Sequence, residues 1–553
     1  MHRTRLLLAP LFCALLVYAD YATRQPFPGN SRITLRIRTE DGRPTGLRLR
    51  VTNAAGDYFA PLGHLPVPDP SRRGSNDLIL GDGEGMPLQV HSLVYDGAEI
   101  DLPPGRYNLH ATKGYEYETI DQPLNIAKAQ RATVILPLRK FADFEARGWY
   151  PGDTHMHFPD PSGVRYEMEC EGLRVCSLLL LKSGYKDGRP GDGHFQNVEH
   201  FTGKLSPVSD ANHFVQVGEE FRHGLLAHLI FQNLKSIVWP VSVGGLREGG
   251  AGGFDWPMML DAADDARAQG ALVTWAHWPY PSLEAPLDIA LGRIDSIDLL
   301  TTGNPFQHHP ILVDVYKMHG PQVYSLAPID VYYHYLNCGF HLAVSSGSDK
   351  MALNPPMGSA RTYVKTDGPL TYQAWIEGIR KGRTFASDYP LLEFTVNDKM
   401  PGETIHLAAG KVKLRVKAKA QSLEPYERLE IIHNGKVIRG VKPAGMHFDA
   451  AFDEVIEFER GGWIAARAHG PKMLEYGATW WKMPVFAHSS PIYLDMPGRP
   501  AHAAESARLF LDQLGYLQRW AGQQANFPAP ENKAEALARI DRARGIYEKL
   551  AGE

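Results

Sequence analysis

The chain has 553 residues, 44% of them hydrophobic and 22% charged, with a formal net charge of −4. That balance excludes a disordered or fibrous chain and supplies apolar material for several cores. No block of basic residues stands out, which argues against a nucleic-acid partner.

The chain opens with signal-peptide anatomy. His2, Arg3 and Arg5 form a charged head, Leu6 to Ala19 is a short apolar run, and Val17-Tyr18-Ala19 offers a cleavage site. Residues 1–19 are therefore expected to be a signal peptide, with an uncleaved membrane anchor as the other reading. Export predicts a periplasmic or secreted protein with no membrane partner after cleavage. Past these residues no apolar run is long enough to span a bilayer. Cys170, Cys176 and Cys338 then remain. Cys170 and Cys176 bridge only if their backbones approach closely; otherwise all three are buried thiols.

Residues 30–142 read as an N-terminal β-sandwich. Ile33, Leu35 and Ile37 alternate with Thr34, Arg36 and Arg38, and Leu47, Leu49 and Val51 alternate again. Ala98–Leu102, Arg106–His110 and Ala132–Leu138 are further strands, and 66–85 is a long loop.

From 145 to 390 the texture changes to strands alternating with helices. Phe214–Val217, Leu272–Trp275, Ile297–Leu300 and Leu342–Ser345 read as strands. Trp256–Gln269, Val331–Leu336 and Tyr372–Arg380 read as helices. Such alternation predicts an α/β barrel or an open α/β sheet. Residues 391–496 return to period two, with Val412–Ala418 and Glu427–His433 as strands and Asn434-Gly435 as a hairpin turn. This predicts a second β-sandwich. Residues 497–553 form a helical tail, with Ala503–Trp520 and Lys533–Leu550 as a hairpin of helices.

The chemistry gathers in the middle region. His155 and His157, at i and i+2 leaving a strand, point to one side and can reach one metal through neutral imidazoles. Glu219 and Glu220 follow the strand Phe214–Val217, with His223 and His228 soon after. His277 and Asp349 each stand just past a strand. In α/β barrels the working residues lie at the carboxyl ends of strands, so four such ends carrying His, Glu or Asp predict a metal site. No Gly-x-Ser-x-Gly elbow or Gly-x-x-x-x-Gly-Lys phosphate loop competes. The run 249–253 is glycine-rich without a following Lys-Ser/Thr and reads as a mobile loop. Trp278, Tyr280 and Phe306 either wall an apolar pocket or pack ordinarily.

These residues, in this order, resemble the carbaryl-hydrolase-like metallohydrolases (the CehA/McbA family), a branch of the PHP superfamily. The resemblance spans about 145 to 495. Its carriers are Gly152-Asp153-Thr154-His155-Met156-His157, Gly218-Glu219-Glu220-Phe221, Ala227-His228-Leu229, Ala276-His277 and Gly347-Ser348-Asp349. Further carriers are Leu336–Phe340, Gly382–Phe385 and Ala487–Pro491. The resemblance implies a distorted (β/α)7 barrel and a hydrolase using metal-activated water on an ester, carbamate or amide of a small-molecule substrate. It implies His155, His157, Glu220, His228, His277 and Asp349 as metal ligands, with Glu219 as the alternative carboxylate. Asp153 is expected to orient a ligand histidine.

Two departures from the superfamily pattern matter. Asp349-Lys350-Met351 lacks the His of a closing Asp-x-His, and Leu178–Leu181 runs into Lys182-Ser183-Gly184 where an Asp-His pair is common. One or two divalent metals, Zn, Mn or Fe, are therefore expected rather than three. Lys182 either points into the site or is a solvated loop charge. His223 is the first candidate proton donor, with His308 and His309 as rivals. A phosphoesterase is the alternative on the same fold, and Arg222, Lys182 and Lys350 are the cations available to it. The third reading is a carbohydrate- or surface-binding protein with a structural metal.

Overall fold

The computed structural model describes residues 28–64, 77–80, 89–157, 159–186, 189–245, 253–301, 303–307, 322–351, 355–475, 482–498 and 503–552. The expected signal peptide 1–19, His308, His309 and most of the loops 66–85 and 249–253 lie outside them.

The chain folds as a strand-rich mixture of α and β, with one large curled sheet and several small ones. The strand Ser31–Thr39 pairs antiparallel with Gly97–Leu102 and parallel with Arg131–Leu138. A second sheet orders the strands 77–80, 89–95, 46–53, 105–112 and 120–126. The alternation read in the sequence decides which side chains meet. Ile33, Leu35 and Ile37 from one sheet share an apolar cluster with Leu47, Leu49 and Val51 from the other. Each such burial contributes about 2 kcal/mol.

The curled sheet is built around the strand Trp149–His157. It pairs parallel with Val175–Lys186, which pairs parallel with Phe214–His223. The sheet then continues through Ala227–Gln232, Leu272–Trp275, Ser296–Asp298 and Ala343–Ser345. It returns to the first strand, with Lys350 opposite Met156 in parallel pairing. Period two sorts the faces. Met156, Leu178, Leu180 and Val217 pack outward against Val164 and Met168 of the helix Pro161–Glu171.

The strand Ala227–Gln232 is antiparallel to both neighbours, so strand follows strand here and the uniform strand–helix alternation is broken. All six of its residues are buried, so neither alternation nor a helical stripe marks it in the sequence. The helix Tyr372–Arg380 matches its expected span. Thr371 caps it by accepting from the Ala374 amide at 3.1 Å, Trp375, Ile376 and Ile379 are buried, and Gly382 follows at φ +68°.

The region 391–496 contributes strands both to the large sheet and to a small sheet of its own. Thr384–Asp388 pairs antiparallel with Lys482–Ser489, which carries the large sheet into Gly462–Glu475 and Arg428–His433. Only Leu391–Val396, Val412–Gln421 and Ala450–Phe458 form a small sheet of their own. Asn434 and Gly435, both at positive φ, make the expected hairpin turn. The helices Ala504–Gln523 and Pro530–Gly552 pack on each other and on the helices Ala285–Ala290 and Pro328–Asn337. Tyr335 stacks on Phe510 at 3.8 Å, and the Tyr547 hydroxyl donates to the Pro286 carbonyl. The three described cysteines are free, buried thiols, so Cys170 and Cys176 do not bridge. No described helix is long and apolar enough to cross a membrane.

Candidate metal centre

Six side chains from three strands and two strand-following turns converge on the inner face of the curled sheet. His155 and His157 leave the strand Trp149–His157, and their Nε2 atoms stand 3.0 Å apart. Asp349 Oδ1 lies 3.3 Å from His155 Nε2 and 3.4 Å from His157 Nε2. Glu220 spans the cluster. Its Oε2 is 3.3 Å from His157 Nε2, and its Oε1 is 3.0 Å from His228 Nδ1, 3.4 Å from His277 Nε2 and 3.9 Å from His155 Nε2. His228 Nδ1 and His277 Nε2 are 3.0 Å apart.

This donor set fits a metal. Tetrahedral ligands at 2.0–2.1 Å from a cation stand about 3.3 Å from one another, which is the spacing observed. Glu220 Oε1 is fully buried and accepts no hydrogen bond of good geometry, although three imidazole nitrogens surround it. His155–His157–Asp349 and His155–Glu220–His277 can each hold an ion.

The neighbours of the cluster prepare the donors. The His277 Nδ1–H donates to the Tyr280 carbonyl, which leaves Nε2 as the lone pair facing Glu220. His155 Nδ1 stands 3.5 Å from Asp298 Oδ2, while Asp298 Oδ1 accepts from Thr154 at 3.1 Å and Ser345 at 2.9 Å. Asp153 is wholly buried. It accepts from the amides of His155 and Ser348, both at 3.0 Å, from Gly358 at 2.8 Å and from the Ser348 hydroxyl. Asp153 thus ties the first His motif to the turn that presents Asp349. His277 and Asp349 both sit at positive φ, +27° and +48°, a conformation that non-glycine residues hold only when their surroundings enforce it.

Electrostatics follow from this crowding. Burial by itself lowers the His155 imidazole, but Asp349, Asp298 and Glu220 outweigh it and hold the group at about 9. Burial and the Arg222 guanidinium together push His228 down to about 3. Burial opposes ionisation of Asp349, yet His155 and His157 bring it to about 2. The Arg222 Nε–H donates to His228 Nε2 at 3.4 Å. The His228 proton then sits on Nδ1, which donates to His277 Nε2 at 3.0 Å, and a metal bound through Nδ1 would displace it.

Register separates the two adjacent glutamates. Glu220 faces inward; Glu219 faces outward and accepts from the Val238 amide at 2.8 Å, and burial pushes its carboxyl up to about 8. His223 shares that outer face and is not brought to the cluster. Its Nδ1 accepts from the amides of Leu225 and Leu226 at 3.1 and 3.2 Å, and its Nε2–H donates to Asp255 at 3.1 Å. With both nitrogens engaged, His223 shapes the turn that delivers His228. Lys182 lies on the outward face of its strand, with Nζ 5.8 Å from the Phe195 ring centre, so it too is apart from the cluster. Lys350 is buried and paired with Glu167 at 3.1 Å. Trp278 packs in the core, its indole N–H on the Pro328 carbonyl at 3.0 Å. Phe306 lies under Arg467, 5.0 Å from its guanidinium carbon.

Sequence reasoning does not single out Asp298 as a partner of His155. Its one signal is an acid inside the apolar run Ile297–Leu300, at the same strand end as His277 and Asp349. Compared with protein-family models and with curated proteins, the chain matches none.

Proposed function

We propose that this chain is an exported metal-dependent hydrolase of the carbaryl-hydrolase-like branch of the PHP superfamily. It acts on an ester, carbamate or amide of a small molecule. The observation that carries the reading is Glu220, whose two oxygens face two donor groups at ligand–ligand spacing. His155, His157 and Asp349 make one group, and His228 and His277 make the other. These residues would hold one or two divalent ions, with Zn, Mn or Fe as the candidates for mixed imidazole and carboxylate donors. On this reading the curled sheet is the distorted (β/α)7 barrel and the β regions on either side of it are sandwiches.

A divalent ion held there would supply water activated at neutral pH and would polarise a carbonyl oxygen. The protein's own residues do the rest. Asp298 and the Tyr280 carbonyl orient His155 and His277, so that their Nε2 lone pairs point inward. Asp153 holds the Gly347–Asp349 turn against His155. Burial of the whole set keeps bulk water from screening these charges.

The test is elemental analysis of the purified chain beside a His155→Ala/His157→Ala variant, with 4-nitrophenyl acetate and an aryl carbamate as substrates. One or two transition-metal equivalents, lost in the variant, are expected. Ester turnover is expected to stop on chelation and return on metal addition. A chain that binds no metal after reconstitution, or whose esterase activity survives complete metal removal, overturns the proposal.

A further inference from the structure

We infer that Arg222 is the specificity-determining residue of this site and that the substrate carries an oxyanion, a carboxylate or phosphate, against its guanidinium. This rests on the metal-site reading above and names the substrate class for it.

Arg222 follows Glu220 by two residues on the same strand, so it faces the same inner side. Its Nε is 3.5 Å from Glu220 Oε2 and 3.4 Å from His228 Nε2. Among the described residues, nothing accepts a hydrogen bond from its two terminal nitrogens. The side chain is 29% exposed, whereas Glu220 is 2% exposed. The Nε side of the guanidinium meets the buried cluster, and the side chain carries the group out to partial solvent exposure. A planar fork of N–H donors in that position matches a carboxylate or phosphate with two bonds.

The backbone beneath Arg222 is held on both sides. Its N–H donates to the Val241 carbonyl at 3.3 Å, and its carbonyl accepts from the Val243 amide at 2.9 Å and the Ser242 hydroxyl at 3.0 Å. Val241 sits at φ +70°, which a β-branched residue adopts only under constraint. The guanidinium is thus presented from a fixed platform rather than a flexible loop.

Charge points the same way. Glu220, Asp349 and Asp298 face the cluster, and Arg222 is the one permanently cationic side chain beside it among the described residues. The other two cations that the sequence offers to this site are committed elsewhere: Lys350 to Glu167 and Lys182 to the outer face. Three carboxylates and one guanidinium leave a deficit of two positive charges. One divalent ion meets that deficit. A second leaves a surplus that an anionic ligand meets.

Two measurements test this on the metal-loaded chain and on Arg222→Met and Arg222→Lys. The first compares 4-nitrophenyl butyrate with mono-4-nitrophenyl succinate, which differ by a terminal carboxylate, and adds 4-nitrophenyl phosphate. The second is calorimetric binding of inorganic phosphate and of acetate. Metal content and thermal midpoint confirm that each variant keeps its centre.

The wild type is expected to prefer a charged ester over the neutral one. That preference is expected to fall by about 30-fold in Arg222→Met and by less in Arg222→Lys, with a parallel loss of phosphate affinity. Turnover of the succinate ester over the phosphate ester assigns the anion to a carboxylate handle. The reverse order assigns it to the reacting phosphoryl group. If neither ester class is turned over but phosphate binding still depends on Arg222, the hydrolase reading fails and the oxyanion site stands. If esters are turned over with no preference for charge, and Arg222→Met binds phosphate as wild type does, the inference is overturned.

Discussion

Gly347 passes so close to His155 that a Cβ on Gly347 would lie 2.4 Å from the His155 amide nitrogen and 2.5 Å from its Cβ. It would also lie 2.8 Å from Asp153 Oδ1. The two motifs that supply His155 and Asp349 are therefore in direct backbone contact, and only glycine permits it. Gly347→Ala is expected to cost about 3 kcal/mol of stability, because the obstructing atom is backbone and cannot swing aside. Metal stoichiometry should fall with it, and a variant that melts like wild type with full metal content contradicts this contact.

Asp298 stands behind His155 rather than among the donors. Asp298→Asn keeps the hydrogen bonds from Thr154 and Ser345 within reach but removes the negative charge facing His155 Nδ1. Metal affinity is expected to drop about 10- to 100-fold with little change in thermal midpoint. Competition with a chelator of known affinity measures it, and an unchanged dissociation constant refutes the role.

His223 is expected to behave as a structural residue. His223→Ala leaves the Leu225 and Leu226 amides and the Asp255 carboxylate without their partner in a buried setting. That should cost about 2 kcal/mol. The acid and base limbs of the pH–rate profile should stay where they are, since His223 does not reach the cluster. A displaced limb would restore it as a proton donor.

Glu116 gives a pH signature remote from the cluster. It is buried between the N-terminal strands and the curled sheet, accepting from the Phe144 amide at 2.9 Å and the Tyr363 hydroxyl at 3.3 Å. Burial raises its carboxyl from 4.5 to about 7, with Lys140 opposing. The folded state therefore binds a proton that the unfolded state has released between these values. Stability contributed by this group falls as pH rises from about 4.5 to about 7. Glu116→Gln should remove that slope, narrowing the difference between pH 5 and pH 8 by on the order of 3 kcal/mol. Denaturant titrations of both proteins at the two pH values measure it, and parallel pH profiles exclude the effect.

Local features of the chain determined a good deal. Leu272–Trp275 and Tyr372–Arg380 are visible as elements because period and bounding residues are properties of adjacent positions. The same holds for the Asn434-Gly435 turn, which needs two residues tolerant of positive φ. The six donors were legible because acids and histidines interrupt apolar strands at their ends, a pattern that apolar packing alone does not produce.

Only tertiary structure decided the rest, because each remaining question turned on register or on pairing across long separations. Glu219 and Glu220 are chemically identical neighbours, and a single residue of register sends one to the cluster and the other to Val238. The same alternation carries His223 away and brings Arg222 in. The Asp298–His155 contact spans more than a hundred residues. The pairing of Thr384–Asp388 with Lys482–Ser489, which joins the C-terminal strands to the large sheet, spans about as many. No periodicity within a short window encodes a partner that far away.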